Sequence, residues 1–221
     1  MFWTFLLADI IADYPLQTDR LVVAKKHLPG LTFHVAIHVV VMTLLFLPVI
    51  SIMWPYILAV AIIHFAIDAF KNLLGRYRPQ WIIGPYLLDQ LLHLISLLLV
   101  SMWMARTTTL PIWQVTMPWI AYTIGLLLAT HVWYITERIL FLRDKELLAR
   151  INATLWPRMG ARLLIFLLIV AGSWVSWVLA LPAIVIIAYL YRRHDYPRCW
   201  VLFDSGVPLI SALIVLLILA I

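Results

Sequence analysis

At 221 residues, with 65% hydrophobic and only 12% charged residues and a mean hydropathy of +1.03, the chain is too apolar for a water-soluble domain, in which about a quarter of residues carry charge. Sixteen basic against ten acidic residues give a net charge of +6, an excess that in a membrane protein marks cytoplasmic loops and not a nucleic-acid surface. The single Cys199 excludes an internal disulfide and a thiolate-rich metal site.

Residues 1–14 are apolar apart from Thr4, Asp9 and Asp13, which is shorter than the ~20 residues of a full span. A span that thins the bilayer and a re-entrant piece both fit. The start, Met1 to Phe5, has neither a basic region nor a cleavage pattern, so the segment is read as retained. Tyr14-Pro15 ends it. Leu16 to Pro29 is a polar, basic connector holding Gln17, Asp19, Arg20, Lys25, Lys26 and His27, and Pro29-Gly30 is expected to break it. The second span, 31–50, opens with His34 and His38. An uncharged turn, Pro48 to Pro55, leads to the third span, 56–72, which ends with His64 and Asp68 ahead of Lys71. Gly75 to Gly84 carries Arg76 and Arg78, and the fourth span, 86–104, opens with Asp89, Gln90 and His93.

Beyond a short loop from Arg106 to Pro111, the fifth span, 112–136, is interrupted by Pro118 and holds His131. Glu137 to Arg150 is the most charged stretch and reads as a helical extension or a surface helix. Residues 163–191 are too long for one upright helix and too short for two full ones, which predicts a tight hairpin with a short second arm. Residues 201–221 form a last span. Trp54, Tyr56, Trp113, Trp119 and Trp200 flank these runs, as interfacial aromatics do. The pattern predicts an all-α, polytopic transmembrane bundle of seven to eight segments. Its polar core lies in residues 1–105, and residues 106–221 add further spans to the same domain.

Basic residues cluster after alternate segments, so the positive-inside rule places the N-terminus outside and the basic loops in the cytoplasm. Asp13, His34, His38, His64, Asp68, Asp89, Gln90 and His93 then all fall in the cytoplasmic half of the bilayer. Asp9/Asp13, His34/His38, His64/Asp68 and Asp89/His93 are pairs four residues apart, each sharing one helix face. A single buried His is usually just hydrogen-bonded, and polar residues also hold membrane helices together. Four repeats of the same spacing exceed that reading, because ionisable groups inside a bilayer are costly without a purpose. Paired ligands on several helices are how bundles build metal sites, and imidazole with carboxylate suits zinc, manganese or iron. His131 stands alone and reads as structural or as a support to the ligands. His27 and His194 read as solvated, Glu137 as an interfacial partner of Arg138, and Asp204 as a cap of the last helix.

The residues Ala12-Asp13-Tyr14-Pro15-Leu16-Gln17-Thr18-Asp19, His34-x-x-x-His38, His64-Phe65-x-x-Asp68 and Asp89-Gln90-x-x-His93 together resemble a prokaryotic family of uncharacterised multi-pass membrane proteins, over residues 1–105. Relatives often carry a His at the position of Asp9, and Asp keeps a ligand type there. The resemblance implies the prokaryotic cytoplasmic membrane and brings no activity with it.

The residues themselves support a membrane-embedded metal-dependent hydrolase. Asp9, Asp13, His64, Asp68, Asp89 and His93 are the candidate ligands of a divalent ion. His34 or His38 is a ligand or the general acid/base, and Gln17 and Gln90 orient substrate or water. Arg20, Lys25, Lys26, Arg76 and Arg78 lie where an anionic lipid head group would sit, so the expected substrate is a lipid or bears a phosphate. The alternatives are a divalent-metal or proton transporter, a haem-binding electron carrier and a structural subunit.

Overall fold

The computed structural model describes residues 1–108, 117–172, 174–193 and 198–220. Trp113, His194 and the opening of the predicted fifth span lie outside them. The described residues are helical throughout, without a strand, and form two compact units, Met1–Gln114 and Val115–Ile221.

In the first unit, α1 (Phe2–Asp13) is 12 residues long. That is about 18 Å of helix against a hydrocarbon core of about 30 Å. The short α2 (Asp19–Ala24) begins at Thr18, whose hydroxyl accepts from the Leu21 amide. α3 (Leu28–Leu45) carries Pro29 in its first turn, where a missing N–H costs nothing. Pro29-Gly30 therefore starts a helix where the sequence suggested a break. Gly30 is needed there: a Cβ would overlap the Ala24 carbonyl, so α2 folds back closely on the start of α3. α4 (Ile50–Tyr77) spans 28 residues and takes Pro55 inside it, correcting the expected turn from Pro48 to Pro55 to a short 3-10 turn over Leu47–Val49. α5 is Ile83–Thr107.

Within this unit α3, α4 and α5 pack in sequence, and α1 lies against α3 and α5. Phe5, Met42, Phe46, Met53, Ile57, Leu97 and Met104 form an apolar core. They come from the N-terminal part of α1, the end of α3, the start of α4 and the end of α5. The polar pairs occupy the opposite ends of the same helices. Outward residues such as Phe33, Val40, Leu44, Ile62, Leu91 and Leu99 are apolar and exposed, as a lipid-facing surface requires.

The second unit begins with α6 (Met117–Leu127), a π turn (Leu128–Val132) and α7 (Trp133–Leu140). His131 sits in that turn, its Nδ1 3.2 Å from the Thr130 hydroxyl, in keeping with a structural role. α8 (Lys145–Ala153) starts on an Asp144 cap. α9 (Leu155–Val170) ends at Gly172, whose φ of +70° is the left-handed conformation that glycine adopts without strain. α10 (Trp174–Arg193) follows and packs on α9. The hairpin is therefore present, but its second arm, at 20 residues, is the longer one, against 16 in α9. α11 (Arg198–Ala220) closes the unit against α6 and α9.

Among the described residues, five helices are long and apolar enough to cross a membrane, or six if the bent α8–α9 pair counts as one span. The chain is an integral, multi-pass membrane protein. The expected count of seven to eight is not reached by these helices, and α1 is too short to be among them.

Candidate metal centre

Each of the four pairs lands on a helix face turned into the first unit, and the pairs meet. Asp9, Asp13, His34, His38, His64, Asp68, Asp89 and His93 are all buried, none more than 8% exposed. Asp13 Oδ1 lies 3.0 Å from His34 Nε2 and 3.4 Å from His38 Nε2. His34 Nε2 is 3.3 Å from His64 Nε2 and 3.3 Å from Asp68 Oδ2, which is 3.6 Å from His64 Nε2. One donor atom from each of Asp13, His34, His38 and His64 lies within 4.8 Å of the others, and the same holds for His64, Asp68 and His93. Four ligands at 2.0–2.2 Å from a zinc-type ion sit about 3.3–3.6 Å apart at the corners of a tetrahedron. Within the four-residue group the Asp13–His38 and His34–His64 separations, 3.4 and 3.3 Å, fall in that range, and the Asp13–His34 separation, 3.0 Å, is shorter.

The remaining predicted ligands surround this group. Asp9 Oδ1 faces the far nitrogens of two imidazoles, His64 Nδ1 at 3.4 Å and His38 Nδ1 at 3.6 Å. At these distances Asp9 makes no hydrogen bond to either ring, but its carboxylate lies on the side from which ligating histidines are usually supported. Asp89 is held by Lys71 at 2.5 Å and by the Gln90 amide at 3.1 Å, with its other oxygen 4.0 Å from His93 Nδ1. His93 stacks on His64, with ring centroids 4.2 Å apart, and neither of its ring nitrogens has a hydrogen-bond partner among the described residues.

Gln90 links Asp89 to Tyr14, whose hydroxyl donates to Gln90 Oε1 at 2.8 Å and lies 3.2 Å from the Tyr86 hydroxyl. Gln17 is placed differently: its amide donates to the backbone carbonyl of Asp13 at 3.0 Å and so braces the end of α1.

Lys25 is a site residue that the sequence placed only among head-group charges. Its Nζ is 3.2 Å from Asp68 Oδ2 and 3.5 Å from His34 Nε2. The signal was its position just ahead of Pro29 and the α3 histidines, but its partner Asp68 is 43 residues away. With Lys25 and Lys71 counted, four carboxylates face two ammonium groups, leaving two negative charges while the histidines are neutral. A buried excess of that kind is costly unless a cation or protons neutralise it. One divalent ion matches it, so the donor set, its spacing and its charge all fit a metal.

The second unit holds a different cluster. Arg158 Nε and Nη2 donate to Asp204 Oδ2 and Oδ1 at 2.6 and 3.1 Å, and Nη2 also donates to Glu137 Oε1 at 2.7 Å. Arg162 Nε lies 3.1 Å from Asp204 Oδ1, the Tyr191 hydroxyl donates to Asp204 Oδ2 at 2.6 Å, and the Arg158 guanidinium stacks 3.9 Å from the Trp200 ring. Glu137 and Asp204 are fully buried, which corrects the interfacial pair and the helix cap. Two cations against two anions balance here, so this cluster needs no added ion. Hydropathy assigns Arg158 and Arg162 no role, because they precede the long apolar run. A pair of arginines four apart at its edge was the available signal.

No curated protein and no solved structure matches the chain. The profile of the family described as "Protein of unknown function (DUF3307)" matches residues 1–121, which takes in every residue of the candidate centre. With more than half its length covered, the chain belongs to that family.

Proposed function

We propose that the first unit binds one divalent ion, zinc, manganese or iron, through Asp13, His34, His38 and His64, and that the protein is a membrane-embedded hydrolase of a lipid or phosphate-bearing substrate. The observation that carries this is the convergence of His34 Nε2, His38 Nε2, His64 Nε2 and Asp13 Oδ1 in a buried cluster with two unbalanced negative charges. When bound, such an ion supplies a water that ionises near neutral pH and polarises the bond to be cleaved.

The chain's own residues would do the rest. Asp9 Oδ1 lies beside the Nδ1 atoms of His38 and His64, where it would orient both rings. We assign His34 and His38 to the metal, which leaves His93, with an unpartnered Nε2 and Asp89 behind its Nδ1, to take up a proton. Gln90 positions Asp89, and Gln17 braces α1. The basic residues at this end of the unit support an anionic substrate. By the charge of the loops, this end faces the cytoplasm.

The test is elemental analysis of detergent-purified protein prepared without chelators, beside the double variant His34→Ala with His64→Ala. Near-stoichiometric metal lost in the variant is the expected result, followed by turnover of phosphate esters or lipids. No metal in either preparation would overturn the reading. Metal present but carried across proteoliposomes down its gradient would replace the hydrolase with a transporter.

A further inference from the structure

Lys25 stands on atoms that a metal would need. Its Nζ lies 3.2 and 3.4 Å from the two oxygens of Asp68 and 3.5 Å from His34 Nε2, while Asp68 Oδ2 and His34 Nε2 are 3.3 Å apart. Bound to a metal, His34 Nε2 could neither accept from this ammonium nor donate to Asp13 Oδ1, 3.0 Å away.

The backbone that presents Lys25 is pinned. The Asn72 amide donates to the Lys25 carbonyl at 2.7 Å, Arg76 donates to the Lys26 carbonyl at 3.1 Å, and Gly30 brings α3 up against Ala24. The side chain is what can leave, and its four-carbon stem keeps the ammonium beside the site. Lys71, by contrast, is engaged with Asp89, outside the four-residue group.

Resting on the metal reading above, we propose that Lys25 is the resident cation of the site: it holds the Asp68–His34 position until a metal displaces it, and the displaced ammonium then binds a phosphate oxygen of the substrate. A divalent ion beside Asp68 competes with Lys25 for that carboxylate, and the phosphate oxygens of an incoming substrate offer the displaced ammonium a replacement partner.

The experiment is calorimetric titration of the purified full-length protein with Mn2+, for the wild type, Lys25→Met and Lys25→Arg, followed by inorganic phosphate on each Mn2+-loaded sample. Lys25→Met should bind Mn2+ more tightly, within the roughly 5- to 150-fold range of coupled sites, and should lose phosphate binding. Lys25→Arg keeps the charge and should bind Mn2+ no more tightly than the wild type.

Equal Mn2+ affinity in the wild type and Lys25→Met overturns the role of Lys25 and leaves the metal reading standing. No Mn2+ binding in either overturns the metal reading itself. Should Lys25→Met fail to fold, Lys25→Arg decides, since tighter Mn2+ binding there contradicts competition. Phosphate binding that persists in Lys25→Met overturns the anion half. Repeating the phosphate titration in nanodiscs with and without phosphatidic acid separates the sources: weakened phosphate binding assigns the lipid head group, and unchanged binding assigns free phosphate.

Discussion

Asp9 and Asp13 are one turn apart on α1 yet touch opposite nitrogens of the imidazole they share. Asp13 Oδ1 faces His38 Nε2 at 3.4 Å, and Asp9 Oδ1 faces His38 Nδ1 at 3.6 Å. The two carboxylates should therefore fail differently. Asp13→Ala removes a ligand and should remove bound metal outright. Asp9→Ala leaves every proposed ligand in place and should keep metal stoichiometry while weakening affinity 10- to 100-fold, the usual loss when a residue supporting a ligand is removed. Titrating both variants with Zn2+ checks this, and equal loss in both would show Asp9 to be a ligand itself. The residue identities were legible in the sequence, because four-residue spacing puts both members of each pair on one face whatever the helix packs against. The separation into nitrogens was not legible, since it depends on where α1 docks against α3 and α5. Lys25 stayed hidden for the same reason: its partners lie on helices that only the fold brings to it.

Runs of apolar residues located the elements but misplaced their ends, because Pro29 lies in a first turn and Pro55 inside a helix, where a turn was the simpler reading. In the second unit Gly125 sets how closely α6 meets α9 and α11. A Cβ there would overlap Val215 and come within 2.8 and 2.9 Å of the Phe166 ring. Gly125→Val should lower stability by about 1–3 kcal/mol, the cost of overpacking, while Gly160→Ala, where nothing lies within 4 Å, should be tolerated. Arg158→Leu should do more damage. It strips Glu137 and Asp204 of a shared guanidinium in a buried setting, and breaking such a pair costs about 3–5 kcal/mol. Thermal unfolding of the three variants in one detergent ranks them. An Arg158→Leu protein as stable as the wild type would mean that the cluster adds nothing to the unit.

Over the whole molecule, the first unit keeps its chemistry at one end and its apolar core at the other. The connector between α1 and α3 meets the end of α4 there, with Arg76 donating to the Lys26 carbonyl. Arg20, Lys26, Arg76 and Arg78 therefore belong to the same end as the His/Asp cluster, while the turn between α3 and α4, around Leu47 to Ser51, carries no charge at all. The positive-inside rule then predicts that the basic end faces the cytoplasm. Two exposed positions report on it: Lys26 in the connector and Ser51 beside the uncharged turn. In a Cys199→Ser background, Ser51→Cys should react with a membrane-impermeant maleimide on intact cells, and Lys26→Cys should react only after the membrane is opened. The reverse pattern would put the cluster on the outer side. Its substrate would then come from outside the cell, and the basic connector would need a reason other than topology for its charge.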